Sequence, residues 1–330
     1  MAAGTLSGRL IEHELQRDNY NEETEMNFEI KLTPIELVGQ AAGMVFGESP
    51  RWRDGSLYVS DMLGLKVLAF DGRGEQRLVA DMPNKPNGMA FLPNGDHIIS
   101  SMHDTRLYRV TPEGPVLYAD LSHLFTGYVG DMVADAQGRL YVDDVGARVF
   151  EGDQMRAGRI VVVEPDGSAS VAAEELWFPN GIVITGDGRR LVVAETFQQR
   201  LTVFDIEGGK LRNRRTLLDL TLLESPVVSH DSKQRIVDGI AIDAEDGLWL
   251  SMLKGQEFVR IDAKGRITHR VPMPGNECVA CTLGGPDGRT LFMVATHVPG
   301  PNIFEEMTHR RTRSRIYTVR VDVPRGAGRP

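Results

Sequence analysis

Residues 178–196, FPNGIVITGDGRRLVVAET, read as an apolar strand, a tight Gly186-Asp187-Gly188 turn and a second apolar strand, with Asn180 at the mouth of the first. Five further stretches repeat that grammar: GESPRWRDGSLYVSDM from Gly47, PNGMAFLPNGDHIISSM from Pro86, GDMVADAQGRLYVDDV from Gly130, VDGIAIDAEDGLWLSML from Val237 and CVACTLGGPDGRTLFMVAT from Cys278. Their turn glycines, Gly55, Gly95, Gly138, Gly188, Gly247 and Gly288, lie 40, 43, 50, 59 and 41 residues apart. That is the period of a propeller blade of four short strands. There is no WD or kelch signature, and the six paragraphs predict an all-β chain folded as a six-bladed β-propeller.

Hairpins with turns at Asp71-Gly72, Glu113-Gly114, Asp166-Gly167 and Lys264-Gly265 supply the outer strands between paragraphs. The sixth paragraph is followed by a single convincing strand, residues 314–323. An unattached strand at residues 27–38, NFEIKLTPIELV, carries Pro34, which suits an edge position. It is expected to complete the last blade and close the ring, so that residues 27–330 form one propeller domain behind a polar N-terminal extension, residues 1–26. Two irregular stretches, 219–236 and 297–313, should emerge on a propeller face, where loops shape pockets.

Composition narrows the function. A formal charge of −9 and a pI near 5.5 argue against nucleic acid or an anionic membrane as partner. No apolar run approaches the ~18 residues of a membrane span, and the acidic N-terminus has no apolar h-region. Only Cys278 and Cys281 occur, which suits a reducing cytoplasm. Their C-x-x-C spacing lies in an apolar strand with no second pair, so buried packing is the expectation, not zinc.

In a propeller, the residue opening each innermost strand sits at one mouth of the central channel. That ring reads Glu48, Asn87, Gly130 with Asp131 beside it, Asn180, Asp238 and Glu277-Cys278. The second strands return to the same end with Asp61, His103, Asp143, Asp144, Glu195 and His297. Carboxylates gathered on so small a circle would repel one another, and a cation is the natural resolution. Oxygen donors without thiolate or imidazole favour a hard ion such as Ca²⁺, Mg²⁺ or Mn²⁺. The competing explanation is that Asp/Asn-Gly at a strand start serves turn chemistry alone. For Asp143-Asp144, structural and catalytic duty are equally open.

Four of these segments, GESPRW, FPNGI, VDGIAID and ACTLGGPDGRTLFMVAT, resemble the signature segments of the senescence-marker-protein/gluconolactonase/luciferin-regenerating-enzyme family, over residues 44–323. The resemblance implies a propeller lactonase that binds one divalent metal through Glu48, Asn180 and Asp238, with Asp238 as general base. Calcium is the first expectation for the ion, with Mg, Mn, Zn or Fe as alternatives. The family's sugar-lactone members carry Arg-x-Asn-Asp-Gly where this chain has Tyr128-Val129-Gly130-Asp131-Met132. Tyr128 in place of arginine gives an aromatic wall, and Gly130 in place of asparagine should leave extra space beside the metal.

The expected substrate is accordingly a small lactone more apolar or aromatic than a sugar lactone, touched by Tyr128, Asn87, His103, Asp131 and His297. Other chemistry at the same metal (phosphoester hydrolysis, a lyase or isomerase step) and a non-catalytic protein-binding propeller are the alternatives. Ser49 follows Glu48, but the G-x-S-x-G elbow of a serine hydrolase is absent. Oligomeric state is left open.

Overall fold

The computed structural model describes residues 43–223 and 236–330. Six antiparallel sheets form a six-bladed β-propeller, each blade adding its strands outward in sequence order. Each innermost strand packs against its neighbour, and that of blade 6 (Glu277–Gly284) packs against that of blade 1 (Gly47–Arg53), closing the ring.

The apolar interior is divided among the blade interfaces. Val183, Ile240 and Leu250 belong to the layer between blades 4 and 5, and Ile98, Met132 and Val142 to that between blades 2 and 3. This follows from period-2 alternation: strands in the middle of a propeller are covered on both faces, so their residues are apolar in both directions. The second strand of blade 5 (Leu248–Met252, LWLSM) is buried at every position.

Among the described residues five sheets have four strands and the last has three, Glu277–Gly284, Thr290–His297 and Arg313–Arg320. The strand expected at 27–38 and most of the 219–236 insertion lie outside the described residues. The chain enters along the outer strand of blade 6, where Met44 O accepts from Ser314 N at 3.0 Å and Gly47 N donates to Ser314 Oγ at 2.8 Å.

At the opposite end of the channel, the C-terminal tail crosses three blades. Arg325 N donates to Gly288 O (2.8 Å), Ala244 N to Pro324 O (2.9 Å), and Ile184 and Arg329 exchange two backbone bonds. Cys278 and Cys281 are buried as expected. Among the described residues no helix is long and apolar enough to cross a membrane.

Candidate metal centre

One local irregularity aims the mouth residues. In all six innermost hairpins the pairing register slips beside the mouth, between Glu48 and Arg51, Pro86 and Met89, Pro179 and Ile182, Val237 and Ile240, Cys278 and Ala280, and opposite Val142 and Asp144. A bulge of this kind re-aims a side chain without ending the strand. The glycine that follows the mouth residue answers to packing. A Cβ on Gly181 would lie 2.4 Å from Ile240 N, and one on Gly88 2.7 Å from the Asp131 Cα. Neighbouring inner strands therefore approach backbone to backbone, which is what Asn-Gly and Asp-Gly serve here.

Glu48, Asn87, Gly130, Asp143, Asn180 and Asp238 all line one cavity of about 140 Å³. The rest of its wall is largely apolar and includes six aromatic residues: Phe46, Tyr128, Phe150, Phe178, Phe197 and Phe304. Phe150 sits on a 3-10 turn (Val149–Glu151) and Phe304 on helix α1 (Ile303–Thr308); their rings meet edge to face at 5.9 Å. The 297–313 stretch thus shapes the pocket, capped by Asn302, whose side chain accepts from Phe304 N. Lys254 also borders the cavity, and its ammonium pairs with Glu277 at 3.3 Å.

The electrostatics are those of anions gathered without a counter-ion. Burial, then the charges of Asp238 and Asp131, push the Glu48 carboxyl well above the usual carboxylate range. Burial pushes Asp238 up to about 8, against a hydrogen bond from the Asn180 side chain, and Asp131 and Glu277 add to the rise. Asp143 is likewise raised by burial and by Asp131, and its Oδ1 has no hydrogen-bond partner. Among the described residues no three His, Cys, Asp or Glu side chains close on one ion. The set that fits a cation is two carboxylates and one amide, Glu48, Asp238 and Asn180. Its oxygen chemistry suits a hard divalent ion and leaves coordination positions open.

The other expected contacts are distributed differently. Asn87 and Tyr128 line the cavity, whereas Asp131, His103 and His297 do not. Asp131 is occupied with Arg51 Nη2 (2.6 Å), Ser49 Oγ (2.9 Å) and Met132 N (2.8 Å). His103 stacks behind Tyr128 at 4.6 Å and bonds Lys85 Nζ at 2.9 Å. His297 is exposed, with Nδ1 3.4 Å from Gly275 O. Of the second ring, Asp61, Asp144 and Glu195 accept backbone N–H groups from the loops entering their blades, such as Phe46, Gly127 and Trp177. Gly130 corrects the expectation of extra space: a Cβ there would lie 2.1 Å from Asp143 Oδ1, so the Asp143 carboxylate already fills that place. Phe150 and Phe304 of the aromatic hood lie in a 3-10 turn and a short helix outside the repeated paragraphs, so no spacing marks them, and Phe178 stands just ahead of its blade's first strand.

The fold and the cavity together define a six-bladed propeller with an acid-and-amide cluster under an apolar hood. Residues 46–297 match the family model described as SMP-30/Gluconolactonase/LRE-like region, and the chain belongs to that family. It is 24% identical to regucalcin of Xenopus laevis over 269 residues, 76% of this chain and 82% of the relative. It is also 24% identical to a putative sugar lactone lactonase of Bacillus subtilis (strain 168) over 257 residues, 76% of this chain and 82% of that protein. In fold it is similar to a calcium-binding regucalcin from Agrobacterium tumefaciens, with a TM-score of 0.69 and 18% identity over 90% of this chain and 97% of the other.

Proposed function

We propose that this chain is a divalent-metal-dependent hydrolase that opens a lactone, or a closely related ester, bearing an apolar or aromatic substituent. The observation that carries this reading is the meeting of two carboxylates and an amide with a wall of aromatic rings in one cavity. Glu48, Asn180 and Asp238 would hold the ion, with Ca²⁺ favoured by their all-oxygen character. Bound there, it would polarise the ester carbonyl and lower the pKa of water.

The residues of the chain do the rest. Asp238, hydrogen-bonded by Asn180, accepts the proton of the attacking water as general base. Asn180 orients that carboxylate, and Glu48 balances the cationic charge. Tyr128, Phe150, Phe178 and Phe304 cover the substrate and exclude bulk water. Asn87 offers one amide to its polar edge. Lys254 is placed to meet the carboxylate that ring opening releases. The aromatic wall in place of a sugar-binding arginine favours an apolar lactone over a polyol.

The test is a lactone panel assayed with chelator-stripped protein and with Ca²⁺, Mg²⁺ or Mn²⁺ restored. Turnover that depends on the cation and favours aromatic or alkyl lactones is expected. A strong preference for aldonolactones would overturn the substrate assignment. Stripped protein with undiminished turnover, or no bound ion at all, would overturn the metal.

A further inference from the structure

The two strands of each inner hairpin can be compared across the six blades. Beside the mouth residue, the second strand presents Ser60 opposite Glu48 and Ala295 opposite Cys278. The pairs Pro86–Ser101, Pro179–Glu195 and Val237–Met252 put Ser100, Ala194 and Ser251 in the same place beside Asn87, Asn180 and Asp238. In five blades, then, a larger mouth side chain stands beside a small residue. Blade 3 inverts this: Val129 pairs with Asp144, which sets Asp143 beside Gly130.

The inversion is steric as well as positional. A Cβ on Gly130 would meet Asp143 Oδ1 at 2.1 Å and Cγ at 3.0 Å. Gly130 does not have the positive φ that would require glycine. The Asp143 side chain is what excludes a larger residue there. One carboxylate oxygen, Oδ2, accepts from Asp131 N at 3.0 Å. The other, Oδ1, is buried without a hydrogen-bond partner, and the residue borders the cavity that holds Glu48, Asn180 and Asp238.

We propose that Asp143 is a cation-binding residue of this site, supplying from the second strand of blade 3 the oxygen that Gly130 cannot supply from the first. The proposal rests on the metal reading above and adds a donor to it. Asp143 adds a third carboxylate to the cavity wall that holds Glu48 and Asp238; as the three do not close directly on one point, its oxygen would meet the ion through a bridging water.

The test is Ca²⁺ titration of the full chain, stripped with chelator, by calorimetry, with folding checked by circular dichroism. Asp143→Ala should weaken Ca²⁺ binding about ten- to a hundredfold. Asp143→Asn, which keeps an acceptor for Asp131 N–H, should weaken it likewise and guards against a variant that fails to fold. Gly130→Asn alone should weaken binding because its side chain meets Asp143. The double variant Gly130→Asn/Asp143→Ala should recover affinity over Asp143→Ala, since the donor returns to the first strand. Wild-type affinity in both Asp143 variants, alongside loss in Asp238→Ala, would overturn the role of Asp143 and leave the metal site standing. Wild-type protein that binds no Ca²⁺ would overturn the metal reading and this inference with it.

Discussion

Two kinds of carboxylate share the channel, brought together from different blades. Asp131 is neutralised from within: its oxygen meets the Arg51 guanidinium at 2.6 Å, and Arg51 is itself anchored to the Met89 and Met132 carbonyls. Glu48 and Asp238, at the mouth, have carboxylates as their charged neighbours, and burial drives both toward the protonated form. The fold compensates the charge that ties blades 1 and 3 together. It leaves uncompensated the charges that face the cavity, and these are the charges the proposed cation would meet.

The sharpest way to break this comparison is to remove one acid of each kind. Asp238→Ala should lower lactone turnover by about 10²–10⁴-fold, the range of a lost general base, or further as the ion is lost. Its folding should be largely spared, since the change removes a carboxylate crowded by other carboxylates and leaves only the Asn180 amide without its partner. Steady-state kinetics beside a thermal melt check both halves.

Arg51→Met should do the reverse, leaving Asp131 buried without its cation at a cost of about 3–5 kcal/mol. Urea unfolding measures it. A variant as stable as wild type would show that Asp131 does not need its partner.

The third test is pH. A carboxyl whose folded pKa is raised binds its proton more tightly folded than unfolded, so stability falls as pH rises between the two values. For Asp238 that window runs from the ordinary carboxylate range near 4 up to about 8, and Glu48 acts in the same direction. Chelator-stripped protein should therefore lose melting temperature from pH 5 to 8, and Ca²⁺ should restore it most at the alkaline end. A flat profile would mean that the mouth acids are compensated after all.

The smallest expected effect is in the hood. Phe150→Ala and Phe304→Ala, which undo an aromatic contact at 5.9 Å, should each raise KM for an aromatic lactone about tenfold while kcat changes less. An equal rise for an aldonolactone would remove the case for an apolar subsite.

Much of this was legible beforehand, for particular reasons. The turn glycines count blades because each hairpin needs its tight turn at the same place. Glu48, Asn180 and Asp238 stand out because a polar residue just before an apolar strand is costly unless it has a use. Asp61, Asp143, Asp144 and Glu195 look alike in sequence, yet Asp144 clamps the Thr126–Gly127 loop and Asp143 faces the channel. Adjacent residues on a strand point to opposite sides, so a single step in register separates a structural acid from a candidate ligand.

By itself, then, the sequence determined the repeat, the number of blades and the ring of residues at the mouth, because those are local and periodic properties of the chain. Only the tertiary structure decided that Asp143 fills the place at Gly130, that Arg51 rather than an ion answers Asp131, and that loops around residues 150 and 304 meet over the cavity. Each of these joins groups on different strands or blades. Their distances are set by how the ring closes, and no spacing along the chain records them.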